Sequence, residues 1–252
     1  MTRAFERLVA LLVLVLTGCA SSPPARELPP DASPNRAAEL NLQLGVGYIR
    51  SGHYDVALGK LKKALSFDDS LPGAYNALGV LHEETGEPEL AGENYRRALE
   101  LADDYPLARL NYGRFLCSQN QFEAGLKQFL TAAGSGMDDP ARAMVGAAVC
   151  ARQAGKPDQA EEYLSRARAL DPDNPQVLLE QAYLQQVLGN LNQSLELLGR
   201  YHQRVAATPA SLWLGVRVSR ALGDEAARRR FSERLLAGFP ASAEARRLMQ
   251  SE

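Results

Sequence analysis

The chain has 252 residues, of which 46% are hydrophobic, and its 28 basic and 30 acidic side chains leave a formal net charge of −2. This balance lacks the overall basic signature of a nucleic-acid-binding protein, so we expect no nucleic-acid partner. Only three cysteines are present, which excludes a small disulfide scaffold, and the length suffices for one sizeable core.

The first predicted element is an export signal. Two arginines precede an apolar run at residues 8–16, which is about half of the roughly 20 residues that a membrane-spanning helix needs. The run leads into the tetrapeptide LTGC, which ends at Cys19 and resembles the lipobox of bacterial lipoproteins. The alternative is an ordinary signal peptide that happens to be followed by a cysteine.

The lipobox resemblance implies a lipoprotein signal peptide at residues 1–18, cleaved so that Cys19 becomes the lipidated first residue. No other cofactor is expected. Ala20 follows where an aspartate would imply retention in the inner membrane, so the resemblance implies a lipid anchor on the periplasmic face of the outer membrane. Residues 19–37 contain five prolines and no apolar periodicity, and we expect a stiff tether there.

Residues 38–242 repeat a helix–turn–helix pattern. The repeats align on one turn residue, with successive steps of 34, 34, 35, 34 and 34 residues. The six turn residues are Gly52, Gly86, Asn120, Gly155, Gly189 and Gly223. Small residues recur at fixed offsets from the turns, as at Gly45, Gly79, Ala57 and Ala91, where two helices can pack closely. This period resembles that of the tetratricopeptide repeat.

The repeats predict an all-α fold, a right-handed superhelical solenoid of six tetratricopeptide units. The units span about 38–71, 72–105, 106–140, 141–174, 175–208 and 209–242. The fifth unit has Tyr201 at a position where a small residue is expected, and the sixth fits with a one-residue slip that places Gly215 and Ala227 at the small positions. Residues 243–252 are expected to be a frayed end or a short final helical turn.

No constellation of catalytic or metal-ligating residues emerges, so we expect a protein that is not an enzyme and binds no metal. The three histidines have no partner at metal-ligand spacing. Cys117 and Cys150 fall in the first helices of adjacent units. The sequence favours two small apolar core residues there, although a disulfide is conceivable.

In a tetratricopeptide stack the first helices line a concave groove, which suits an extended peptide or an amphipathic helix. The repeat phase predicts a partner groove formed by Leu42, Val46, Ile49, Asn76, Val80, Leu110, Arg114 and Tyr183. The stripe of the first unit is wholly aliphatic. Its residues either contact a partner or pack under the incoming tether, and a phase error of one residue is the further alternative.

The whole architecture resembles the PilF/PilW family of type IV pilus biogenesis and stability lipoproteins. The segments that carry the resemblance are LNLQLGVGYIRSGHYDVALGKLKKAL, LNYGRFLCSQNQFEAGLKQFLTAA and SLWLGVRVSRALGDEAARRRFSERLLAGFP. The resemblance implies a pilotin, which accompanies the secretin subunit through the lipoprotein-sorting machinery to the outer membrane and promotes its multimerisation, or a protein that stabilises the pilus. The alternative is another envelope lipoprotein adaptor, for outer-membrane assembly or peptidoglycan hydrolases.

Overall fold

The computed structural model describes residues 34–172 and 174–251, so Cys19, the signal peptide and most of the predicted tether lie outside the described residues. The described part is all-helical, with no strand. Its helices are α1 (Pro34–Arg50), α2 (Tyr54–Phe67), α3 (Pro72–Glu84), α4 (Pro88–Leu101), α5 (Pro106–Ser118), α6 (Phe122–Gly134), α7 (Pro140–Gln153), α8 (Pro157–Leu170), α9 (Pro175–Val187), α10 (Leu191–Arg204), α11 (Pro209–Leu222), α12 (Glu225–Gly238) and α13 (Ala243–Ser251).

The helices form six antiparallel pairs, α1–α2 to α11–α12, that stack in chain order. Each odd-numbered helix contacts its own pair partner, the preceding even-numbered helix and the next odd-numbered helix. In the part of the chain that the structure describes, the backbones of consecutive even-numbered helices lie further apart than those of consecutive odd-numbered helices, although side chains such as His202 of α10 and Phe231 of α12 still meet. The odd-numbered helices therefore form the inner layer of a curved solenoid, and the predicted all-α repeat fold is confirmed.

The turn inside each pair ends the first helix with a left-handed residue. All six aligned turn residues have positive φ, from 60° at Asn120 to 80° at Gly189. Glycine adopts this conformation without a Cβ penalty, and asparagine tolerates it. The amide of the following residue then bonds to a carbonyl five residues back, as from His53 to Tyr48 at 2.9 Å. This closing bond satisfies a carbonyl at the helix end and fixes the direction of the second helix.

The recurring small residues let the two helices of a pair approach closely. A Cβ placed on Gly79 would lie 2.6 Å from the ring of Tyr95, which is fully buried on the facing helix α4. The same holds at Gly215, where a Cβ would lie 2.6 Å from Phe231. The one-residue slip predicted for the sixth unit therefore places the glycine correctly.

Tyr201 replaces the small residue of the fifth unit without leaving the core. It is 6% exposed and packs in a cluster with Leu178, Leu197 and Leu214. The departure from the repeat pattern thus fills the contact between α10 and α11 with an aromatic ring.

Proline begins most of the inner helices. Pro72, Pro106, Pro140, Pro175 and Pro209 occupy the first turn of their helices. Proline suits this position, where its missing N–H group would have no partner inside the helix. Residues 135–139 form the five-residue connection before α7, with Gly136 at a φ of 74°. This connection holds the extra residue of the 35-residue step.

Both ends of the stack differ from the sequence prediction. Helix α1 begins at Pro34, inside the segment predicted to be a tether, and Ala38 is already fully buried. Of the two alternatives for the C-terminal residues the helical one holds, but the helix is longer than one turn, and α13 packs against α11 and α12 with Ala245 and Leu248 fully buried. Helix α13 takes the place that the first helix of a seventh unit would have and covers the last apolar face.

In residues 34–172 and 174–251, none of the helices has both the length and the apolar character that crossing a bilayer requires.

Candidate partner groove

The predicted groove residues all lie on inner helices, but they do not form one continuous apolar surface. Leu42, Val46 and Ile49 share a cluster on α1, and Tyr183 lies on α9. Side chains that bridge neighbouring helices separate these regions. The groove is therefore built from distinct local sites along the stack.

The aliphatic stripe of the first unit is largely packing. Leu42, Val46 and Ile49 are half-buried against a core cluster that includes Leu61 and Leu78. A Cβ on Gly73 would lie 2.8 Å from Leu42, which shows how closely this side chain contacts α3. The half-exposed remainder of each side chain still faces solvent. Packing against α2 and α3, which the sequence alternatives did not include, explains most of this stripe.

The first unit has a more exposed apolar surface at the end of the stack, which the sequence analysis missed. We call Leu40 and Leu44 the terminal edge, and their exposed fractions are 55% and 39%. Leu44 is the repeat equivalent of Leu78, which is only 7% exposed because the preceding pair covers it. The repeat alignment could have indicated this exposure, because it pairs Leu44 with Leu78. In the described residues no helix pair precedes α1, so Leu44 lacks the cover that Leu78 has.

Polar side chains bridge α3 and α5. Asn111 donates to Asn76 at 3.0 Å, and the guanidinium of Arg114 donates to both carboxylate oxygens of Glu83 at 2.6 and 3.0 Å. The hydroxyl of Tyr95 donates to Glu83 at 2.9 Å from below. Burial and the nearby Glu83 carboxylate raise the pKa of Tyr95 well above its ordinary value. Predicted groove residues Asn76 and Arg114 thus belong to two separate polar contacts, which both hold α3 against α5.

Val80 is half-buried and packs against the neighbouring cluster of Tyr95 and Phe115. It lies on α3 between Asn76 and Glu83, so the polar bridge flanks it on both sides. Its role in the described structure is packing under that bridge.

A second polar bridge joins α7, α9 and α11. Arg152 donates to Glu180 at 3.0 Å and lies over the ring of Tyr183, 5.2 Å from its centroid. The hydroxyl of Tyr183 donates to the carbonyl of Ala210 at 3.1 Å. Burial raises the pKa of Glu180, and Arg152 offsets part of that shift. Burial also raises the pKa of Tyr183. Tyr183 is therefore a half-buried bridging residue.

The step between α5 and α7 is held by a covalent bond. Cys117 and Cys150 form a disulfide with a Cα–Cα distance of 5.6 Å, and both are at most 5% exposed. The sequence preference for two unpaired core cysteines is therefore wrong. The repeat places the two residues on adjacent parallel helices, and their separation of 33 residues is close to one period.

An apolar pocket opens into the groove beside this disulfide. It has a volume of about 250 Å³ and is lined by residues of α5 and α7, with Phe129 of α6 below. The predicted groove residues Leu110 and Arg114 both contribute to its wall. Arg142, Phe129 and the disulfide also line it, and the sequence analysis missed these as site residues. Phe129 reaches the pocket because Gly146 has no side chain to block it.

Among the residues that the structure describes, no group of three or more His, Cys, Asp or Glu side chains is arranged to hold a metal ion. His202 bonds to Ser211 at 2.9 Å, next to the start of α11. Burial lowers the pKa of His202.

The chain is similar to known proteins in both sequence and fold. The family model of the tetratricopeptide repeat matches residues 42–106 and 107–175, and a second model with the same description matches residues 151–210. The type IV pilus assembly protein PilF of Pseudomonas aeruginosa is 32% identical over 240 residues, covering 94% of each chain. An uncharacterised protein of Haemophilus influenzae is 29% identical over 136 residues, covering 54% of this chain and 76% of its own length.

Two solved structures share the fold over most of this chain. The structure of Pseudomonas aeruginosa PilF has a TM-score of 0.68 at 28% identity and covers 87% of this chain and 99% of its own. The crystal structure of PilW, described as a widely conserved type IV pilus biogenesis factor, has a TM-score of 0.73 at 27% identity and covers 85% and 99%.

Proposed function

The chain belongs to the PilF/PilW family of tetratricopeptide-repeat proteins, and from this membership we propose that it acts in type IV pilus biogenesis as a non-catalytic adaptor for protein partners. The observation that carries the proposal is the similarity to PilF, which extends over 94% of both chains at 32% identity. The curved inner layer of helices supports protein binding, because it presents side chains of successive repeats along one groove.

The adaptor acts, in this proposal, as a pilotin. Lipid on Cys19 anchors the protein to the outer membrane from the periplasmic side, and the lipoprotein-sorting machinery carries it there. The repeat stack holds the secretin subunit and promotes its multimerisation. The sequence LTGC-Ala supports the anchor, since several acyl chains together give stable membrane attachment.

The terminal edge is the partner surface that we favour on the first unit. Leu40 and Leu44 are exposed, whereas the stripe of Leu42, Val46 and Ile49 is half-buried. Leu40 and Leu44 are four residues apart on α1 and so share one face, and exposed apolar patches mark interaction sites more often than ordinary surface does. The edge also lies nearest in sequence to Cys19, so a partner bound there would be held close to the anchored end.

A secretin immunoblot on unheated membrane extracts tests the pilotin role. A strain that lacks the gene is complemented with the wild type, with Leu44→Glu, or with the matched control Val187→Glu. Both residues are exposed apolar side chains, at 39% and 59%, but Val187 lies far along the stack on α9. We expect the wild type and Val187→Glu to restore the detergent-resistant multimer and Leu44→Glu to restore much less of it.

An intact multimer in the deletion strain would remove secretin assembly from the proposal. Normal surface piliation in the same strain would remove the pilus role altogether and favour another envelope adaptor, as in outer-membrane assembly or control of peptidoglycan hydrolases. Equal complementation by Leu44→Glu and Val187→Glu would exclude the terminal edge as the partner surface.

A further inference from the structure

The step between α5 and α7 differs from the steps on both sides of it, α3–α5 and α7–α9. Helices α3 and α5 are bridged by two polar pairs, Asn76 with Asn111 and Glu83 with Arg114. Helices α7 and α9 are bridged by Arg152 and Glu180. Between α5 and α7 a disulfide joins the helices, and it occupies less width than a pair of long polar side chains. An open apolar pocket remains beside it.

The size of the pocket suits one side chain. A cavity of about 150 Å³ accommodates benzene, and small-molecule sites start at roughly 300 Å³. The observed volume of about 250 Å³ lies between these values. Leu110, Phe129, Val145 and Val149 supply apolar walls. An aromatic or branched side chain of a peptide fits this space better than a free cofactor does.

The polar rim of the pocket is basic. Two arginines, Arg114 and Arg142, are among the lining residues, and no carboxylate is. Arg142 lies in the first turn of α7, and its guanidinium is in no ion pair among the described residues. Arg114 uses part of its guanidinium on Glu83, but its side chain remains 54% exposed. An arginine has five N–H donors, so further bonds to a second carboxylate are available.

The two arginines lie on the two helices that border the pocket, and they are offset from each other across the groove. Arg114 is eight residues into α5 and Arg142 is two residues into α7, and these helices run parallel. The difference of six residues corresponds to about 9 Å along the helix axes, which run across the groove, and the spacing of packed helices separates the two backbones by about 8–10 Å along the groove. In an extended peptide, two acidic residues on both sides of a buried apolar residue have Cα atoms about 7 Å apart. The acidic and arginine side chains cover the remaining distance between the peptide and the two helices.

We propose that this pocket is a peptide-binding subsite that takes one large apolar side chain flanked by acidic residues. The proposal rests on the proposed function, because it specifies the chemistry of one segment of the adaptor's protein partner. The site is separate from the terminal edge, since it lies in the third and fourth pairs. A partner that contacts both is held at two points along the stack.

The pocket is tested with three fluorescein-labelled peptides and the full-length protein by fluorescence anisotropy. All three are ten residues long, capped at both ends and embedded in glycine and serine. Their central residues are Asp-Phe-Asp, Asp-Ala-Asp and Lys-Phe-Lys. We expect the first peptide to bind, and the other two to bind about tenfold more weakly or worse, because one lacks the anchor and the other repels the arginines.

Two variants locate the binding. Val149→Trp fills the pocket, and Arg142→Glu reverses the charge of an exposed side chain at a helix start, where an acid suits the helix dipole. We expect each to weaken binding of the Asp-Phe-Asp peptide about tenfold. The matched control is Arg229→Glu, an exposed arginine on the outer helix α12, and it should bind as the wild type does.

Equal binding of the three peptides would overturn the proposal, as would no binding of any of them at about 1 mM. Equal effects of Arg142→Glu and Arg229→Glu would also overturn it, because the charge would then act at long range only. These results would leave the proposed function untouched, since pilus counts in the deletion strain test that separately. Conversely, normal piliation in that strain removes the pilus role without affecting the peptide measurements.

Discussion

Reducing the bond between Cys117 and Cys150 should destabilise the stack by an amount that depends on the length of the loop that the disulfide closes. The disulfide closes a loop with a sequence separation of 33 residues. In the chain-entropy model the cross-link removes about 2.1 + 1.5R ln n cal/mol/K from the unfolded chain, which is about 3.7 kcal/mol at 25 °C for this loop. With a urea dependence of 1–3 kcal/mol/M, the unfolding midpoint should fall by more than about 1 M.

The assay is urea unfolding followed by circular dichroism, with and without a thiol-free reductant. The double variant Cys117→Ser with Cys150→Ser is the matched control, and reductant should not move its midpoint. The buried position of both cysteines, each at most 5% exposed, means that the reductant must be equilibrated with the unfolded protein before refolding. A wild-type shift of less than about 0.3 M would refute the loop-entropy reasoning, because it would show that the α5–α7 contact already constrains the unfolded chain.

Three further outcomes follow from the structure. Gly79→Ala should destabilise the protein by about 1–3 kcal/mol because its Cβ would overlap Tyr95. The matched Gly59→Ala, in open space on α2, should stabilise it by about 0.5–1 kcal/mol. Urea unfolding should show changes of opposite sign, and a neutral Gly79→Ala would contradict the packing argument. Burial raises the pKa of Glu180 above its ordinary value of 4.5, so the folded state binds this proton more tightly than the unfolded state does. The free energy of unfolding should therefore decline as pH rises from 4.5 through the raised pKa. Glu180→Gln should remove that decline, and an unchanged pH profile in this variant would contradict the prediction. Cys19→Ala should give a folded protein that no longer sediments with outer membranes, and continued sedimentation would disprove the lipid anchor.

The repeat architecture was predictable because its turn residues and small residues recur at fixed spacing in the sequence. Six turn residues adopt positive φ at the positions that the alignment identified, and Asn120 does so without being glycine. Fixed spacing works here because each pair repeats the same local packing against its neighbours. The five prolines at helix starts have nearly the same spacing, and they would have placed the first turns of the inner helices more exactly.

The individual character of the groove was not predictable in the same way. The phase identified which residues face inward, but not that Arg114 would pair with Glu83 or that Arg152 would lie over Tyr183. These contacts join residues 28 to 31 positions apart, and long side chains choose among several neighbours at that distance. The disulfide was missed for a different reason, since burial alone suits both an unpaired cysteine and a bonded one.

The even-numbered helices stand apart from one another while the odd-numbered helices are bridged, and this gives the stack a preferred direction of bending. Straightening pulls the bridged inner helices apart and breaks their bonds. Curling more tightly separates the outer helices, which are joined by fewer contacts, such as those of His202 with Phe231 and of Lys156 with Glu123. The solenoid should therefore close around a bound chain more easily than it opens. When a partner pulls along the groove, the resistance to opening should be greatest at the covalent link between α5 and α7.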